Sequence, residues 1–272
     1  MTSPGSPLDR WASGERYEAY VGRWSRAVAT TFVHWLEVPP GARWLDAGCG
    51  TGAPTTAILE LGSPAAVLGA DTSPDLLARA AGTVHDARAR FVLADVAHLP
   101  VDDGSVDAAV SGLVLNFVPD TSTALAEAVR VTRRGGAVAA YVWDYAEGME
   151  LIRYFWDAAV ALDPGAAQWD EGTRFPLCHP WALAGAFDRA GLAGVVVEPI
   201  VVPTAFHDLE EYWHPFLGGT GPAPAYVASL PEERVTALRD RLAERLPASP
   251  DGGIRLSARA WAVRGEVRHP RS

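Results

Sequence analysis

The segment from Arg43 to Leu59, Arg-Trp-Leu-Asp-Ala-Gly-Cys-Gly-Thr-Gly-Ala-Pro-Thr-Thr-Ala-Ile-Leu, constrains this chain more than any other stretch. It runs a short apolar strand into a glycine-rich turn and then into a helix. Gly48, Gly50 and Gly52 can take backbone angles closed to other residues, and without Cβ atoms they let a ligand lie against the main chain. A cradle for a nucleotide-like cofactor is the expectation. Asp46, just before the first glycine, sets a carboxylate beside the turn, where it would repel a phosphate.

At 272 residues the chain can bury one large core with elaborations. A net charge of −10 argues against broad nucleic-acid or anionic-membrane binding, because either needs a basic face. Small-molecule chemistry is the expectation. Every cationic side chain other than histidine is Arg, a compositional bias rather than a functional sign. The two cysteines, Cys49 and Cys178, cannot build a Cys-rich zinc cluster, and the first residues do not read as a signal peptide. A reducing cytoplasm is the expectation from those two observations, and since no uncharged apolar run approaches membrane-spanning length, a soluble protein is expected. Cys49 sits where the loop needs a small residue and reads as packing.

Residues 1–8 read as a disordered leader. Tyr17, Tyr20, Val21, Trp24, Val28, Phe32 and Trp35 recur at three- and four-residue spacings, which predicts an amphipathic helix with an aromatic face, ending before Pro39-Pro40. Residues 1–40 are thus a leader and helical cap, and 41–272 the core. From Gly41 strands and helices alternate. Strands are predicted at 42–47, 66–71, 89–94, 106–112 and 136–143, with helices at 53–61, 74–82 and 121–132, so a mainly parallel sheet covered on both faces follows. Further helices are expected at 147–162 and 180–190, and further strands at 193–202 and 254–263. Residues 207–250 form a helical insertion before the last strand, placed to serve as a substrate lid hinged at Gly218, Gly219 and Gly221.

Asp71 closes the second strand about twenty positions beyond the glycines, where a carboxylate can accept from both ribose hydroxyls. Gly48, Gly50 and Ala53 alone also satisfy a dinucleotide fingerprint. The Asp46-x-Gly48-x-Gly50-x-Gly52 form instead resembles motif I of the class I S-adenosylmethionine (SAM) methyltransferases. Asp71, the block Phe91-Val92-Leu93-Ala94-Asp95-Val96, the block Val106 to Ser111 and Gly135 to Tyr141 follow in the order of that family, from about Arg43 to Tyr145.

The resemblance implies a Rossmann-like, doubly wound α/β fold of seven strands, the last antiparallel, with an N-terminal cap and a helical insertion. It implies that SAM is bound and S-adenosylhomocysteine released, and that a methyl group passes to a small-molecule acceptor by in-line displacement. The nucleophile is oxygen, nitrogen or carbon. Asp46 then faces the amino-acid tail of SAM, Asp71 with Thr72 the ribose, Asp95 and the Val96 N–H the adenine. Gly48, Cys49, Gly50 and Ser111 complete the cofactor set, with Tyr20 and Arg23 closing over it from the cap. A nicotinamide-dependent oxidoreductase and a non-catalytic SAM-binding protein are the competing readings. Cofactor occupancy and methyl transfer separate them.

Alignment and exclusion of water can drive such a transfer without a dedicated base. Asn116 stands where many relatives of the quinone-biosynthesis branch carry histidine, and asparagine can orient a substrate but not take its proton. Candidate bases are His179, His214 and Tyr145. Candidate acceptor contacts are Trp24, Asn116, Asp144, His207, Trp213 and Phe216. The histidine spacing matches no metal-ligand pattern, so no metal is expected. Trp213 and Phe216 are predicted to wall the acceptor pocket opposite Tyr20 and Trp24.

Overall fold

Apolar runs of strand length, each followed by a helical stretch, fold into one sheet in the computed structural model, which describes residues 22–218, 221–247 and 249–268 but not the Arg23 side chain. The strands are β1 (Arg43–Ala47), β2 (Ala66–Asp71), β3 (Ala89–Leu93), β4 (Val106–Gly112), β5 (Thr132–Trp143), β6 (Ala193–Phe206) and β7 (Ile254–Glu266). Among the described residues they lie in the order β3-β2-β1-β4-β5-β7-β6. The first five are parallel, and β7 runs antiparallel to both β5 and β6. This is the doubly wound α/β sheet expected from the sequence. Strand order reverses between β1 and β4, and a crevice opens at such a switch point outside the carboxyl ends of the strands.

Helices α1 (Arg23–Leu36), α2 (Ala53–Leu61), α3 (Pro74–Thr83), α4 (Thr121–Val131), α5 (Glu150–Leu162), α6 (Glu171–Arg174) and α7 (Pro180–Arg189) precede β6. Between β6 and β7 come α8 (Leu209–Trp213), α9 (Pro222–Ser229) and α10 (Glu232–Arg245). Neighbouring β1 residues serve opposite faces. Trp44 joins the larger core with Phe32, Ile58 and Val110, and Leu45 joins a smaller one with Ala70, Ala109 and Val131. The leader, Tyr17 and Tyr20 lie outside the described residues.

Several element boundaries differ from the sequence prediction, β7 ending at Glu266 rather than 263 among them. β5 starts at Thr132, not 136, because Gly135 (φ 68°) and Gly136 make an irregularity within the strand rather than a turn before it. A Cβ at Gly136 would stand 2.6 Å from the Asp107 carbonyl oxygen, so only glycine lets the strands approach there. β6 runs on to Phe206, since Val202, Thr204 and Phe206 keep alternating inward and pairing with β7. Helix α5 begins at Glu150 because residues 144–149 turn about Asp144, whose carbonyl accepts the Gly148 and Met149 N–H groups at 3.1 and 2.8 Å.

Pro199 and Pro203 lie within β6 itself, at the outer edge of the sheet, where proline is tolerated. The insertion docks on α5. Tyr212 donates its hydroxyl to the Leu151 carbonyl at 2.8 Å, and Tyr226 tilts against Trp156 at 5.5 Å. Trp24 of α1 meets Phe206 edge-on at 5.6 Å, and Phe206 meets Tyr212 at 5.3 Å. A run of aromatic rings therefore joins the N-terminal helix to the insertion.

Candidate active site

Glycine at three points makes the loop after β1. Gly48, Gly50 and Gly52 all take left-handed backbone angles, φ 79°, 53° and 89°. A Cβ on Gly48 would stand 2.6 Å from a Val114 methyl, whereas one on Gly50 would meet nothing within 4 Å. The first glycine is therefore required by packing, and the second leaves open space for a ligand. Around this loop, at the carboxyl ends of β1, β2 and β4, opens a cavity of about 550 Å³, within the size range of small-molecule sites.

Asp71 sits on its wall. Its Oδ2 accepts the Gly50 N–H at 2.9 Å and its Oδ1 the Ser73 N–H at 2.9 Å, so the carboxylate is fixed against the glycine loop with lone pairs to spare. Ser73, not Asp71, caps α3, accepting the Leu76 N–H at 3.4 Å. Gly48, Cys49, Gly50 and Thr72 line the same space. Cys49 fills the gap left by Gly69, where a Cβ would stand 3.0 Å from its sulfur, and burial pushes its thiol pKa up, which suits a packing role.

Asp46 lies beneath the loop, fully buried. Its Oδ2 accepts from the Thr55 hydroxyl at 2.7 Å, while Oδ1 has no partner. Burial pushes this carboxyl up to about 7, against the opposing Thr55 hydrogen bonds. An orphaned carboxylate oxygen below the cradle fits a cationic group of a ligand and not a phosphate.

Other predicted contacts lie apart from the cavity. Asp95 is exposed and accepts the Ala97 N–H at 2.9 Å, and Val96 and Ser111 border a separate void of about 20 Å³. Asn116 is buried on the turn after β4 with its Nδ2 unpartnered, beside the lining residue Phe117. Asp144 is gripped by Arg259, with Nε at 2.6 Å and a second nitrogen at 2.5 Å. That ion pair, not an acceptor, occupies one of its carboxylate oxygens.

His207 is 90% exposed and lies 3.3 Å from Asp208, and His214 is exposed as well. His179 stacks on Trp181 at 5.7 Å at the start of α7. These three do not line the cavity. Nor do Trp213 and Phe216, which are buried among the rings of the insertion and α5 rather than walling a pocket. Trp24 is spent on Phe206, and the cap instead gives the cavity Ser25. Tyr20 and the side chain of Arg23 lie outside the description. Among the described residues no group of three or more His, Cys, Asp or Glu side chains is placed to hold a metal.

Tyr145 does approach. Its ring lies 5.8 Å from Phe175, and Phe175 meets Phe117 of the cavity wall at 5.1 Å. Sequence reasoning passed over Leu113, Val114, Phe117 and Tyr141, which line the cavity beyond Gly112. One of them carries a backbone sign. Leu113, a bulky residue, holds φ at 61°, a strained angle kept by its N–H bond to the Tyr141 carbonyl at 2.8 Å.

Residues 45–140 match the methyltransferase domain family. The arsenite methyltransferase of Halobacterium salinarum is 30% identical over 185 residues, covering 64% of this chain and 44% of that protein. The malonyl-[acyl-carrier protein] O-methyltransferase of Serratia marcescens is 38% identical over 146 residues, covering 51% and 55%. The chain thus spans about half the length of these relatives. A solved structure of phosphoethanolamine N-methyltransferase 2 from Haemonchus contortus, in complex with S-adenosyl-L-methionine, superposes with a TM-score of 0.59 at 16% identity, covering 99% of this chain and 61% of that one. Among the described residues no helix is long and apolar enough to cross a membrane. The glycine loop and the first five strands of the sheet fall within or beside residues 45–140, the stretch of this chain that matches a methyltransferase domain.

Proposed function

We propose that the protein is a SAM-dependent methyltransferase acting on a small-molecule acceptor. The observation that carries the reading is the pairing of Asp71 with the Gly50 N–H beside a cavity lined by two left-handed glycines, Gly48 and Gly50. Bound there, SAM supplies a methyl group on a sulfonium, electrophilic enough to need no metal. Asp71 accepts from the ribose hydroxyls, and the bare Cα of Gly50 lets the nucleoside come close. Asp46, unpartnered at Oδ1, offsets positive charge once a cationic group draws off its proton.

Leu113, Val114, Phe117 and Tyr141 keep water from the reacting end. On this reading the acceptor enters past Phe117, on the side of Phe175 and Tyr145. In-line displacement on the sulfonium then needs alignment more than proton transfer. The insertion acts on the acceptor side through α5, and the acceptor is neither nucleic acid nor lipid surface, as the net charge of −10 favours.

Calorimetric titration with SAM, S-adenosylhomocysteine and NADH tests this. Micromolar binding of the first two without added metal is expected. Binding of NADH with none of the sulfur compounds would end the methyltransferase reading.

A further inference from the structure

The floor of the cavity carries a phenol that belongs to β5. Tyr141 stands opposite Gly112 of β4 in the parallel register, and its side chain lies over that glycine. A Cβ on Gly112 would be 2.5 Å from Tyr141 Oη and 2.9 Å from Pro54 Cγ. Only a residue without a side chain leaves the phenol room to reach the start of α2. Phe32 of α1 backs the ring, centroids 4.7 Å apart and planes at 57°. Gly112, Pro54 and Tyr141 all line the cavity, and so does Ser25 of α1.

Strand order decides which end of a ligand meets this hydroxyl. From β2 the sequence across the sheet is β1, β4, β5. At about 4.8 Å per step, Tyr141's strand lies roughly 14 Å from the strand that ends in Asp71. A nucleoside anchored by its ribose at Asp71, with its base toward β3, directs its other end across the glycine loop to Gly112. In SAM and S-adenosylhomocysteine that end is the amino-acid tail. Pro54 opens α2, and the positive end of that helix favours an anion at the same place.

We propose that Tyr141 donates a hydrogen bond from its phenol to the carboxylate of the cofactor's amino-acid tail, and that Phe32 is the positioning residue that holds the ring there. The inference rests on the cofactor reading above. Its test compares two ligands on the full chain: S-adenosylhomocysteine, and 5′-methylthioadenosine, which keeps nucleoside and sulfur but lacks the tail.

Removing the hydroxyl in Tyr141→Phe is expected to weaken S-adenosylhomocysteine about tenfold or more, the loss of one charge-assisted hydrogen bond. The tail-less ligand should stay within about twofold of its wild-type dissociation constant. Phe32→Leu should show the same ligand-selective loss, in smaller measure. Equal weakening of both ligands by Tyr141→Phe, or undiminished affinity for S-adenosylhomocysteine, overturns the proposal. A wild-type protein that binds neither ligand fails at the cofactor reading itself, and takes this inference with it.

Discussion

Phe216 lies flat on Phe155, the ring centroids 4.4 Å apart and the planes 13° from parallel. The contact joins the insertion to α5 through two fully buried rings. Truncating Phe216→Ala should therefore destabilise the fold by about 3–5 kcal/mol, read from urea unfolding. Loss of turnover at unchanged stability would return this ring to the acceptor pocket.

Asp71→Ala removes the carboxylate that faces the cavity. Cofactor binding should weaken by about 1.5–3 kcal/mol in calorimetry, with the circular dichroism spectrum unchanged. An unaltered dissociation constant in a folded variant would mean that the ribose is held by other groups.

The buried carboxyls make stability depend on pH. Asp46 is raised from 3.8 to about 7, and Glu171, buried beside the Trp156 indole N–H that it accepts, from 4.5 to about 7, in each case chiefly by burial. Between about pH 4 and 7 the native state holds protons that the unfolded chain has released. Stability is thus greatest at the acid end of that window, falls as pH rises through it, and levels off above. The thermal midpoint of the ligand-free protein should follow this course, and Asp46→Asn should flatten it. A midpoint that rises from pH 5 to pH 7 in both proteins would contradict the burial of these groups.

Arg259 bridges Asp144 and Glu147, the latter at 3.2 Å, and stacks over Trp261 at 4.9 Å. Arg259→Ala leaves the Asp144 carboxylate buried without its partner, and a loss of about 3–5 kcal/mol is expected in chemical denaturation. If Asp144 instead serves the acceptor, the variant will keep its stability and shift KM for that acceptor.

The sequence carried the sheet because strand and helix signals there are local. Val67 to Asp71 and Val106 to Gly112 are apolar runs bounded by turn residues, and they fold as read. The glycine loop was legible for the same reason, since φ belongs to single residues. The acceptor side was not. Phe117 and Tyr145 each meet Phe175 across 30 residues or more of chain, through tertiary packing that no spacing encodes. Trp213 and Phe216 misled because an aromatic side chain near glycines reads equally as a wall or as core, and burial decided for core. Tyr141 was hidden in an apolar run, its meaning fixed only by the glycine on the neighbouring strand.

The two prolines of β6 have a consequence for how copies of the molecule treat one another. An unpaired outer strand is a template on which a further strand can grow, and Val196 and Val201, 38% and 58% exposed, would make this one adhesive. Pro199 and Pro203 lack the N–H that such growth needs, at two points four residues apart along the strand and so on the same side of it. Sheet extension stops at this margin. The margin that carries the exposed valines is thereby poorly suited to seeding a fibre.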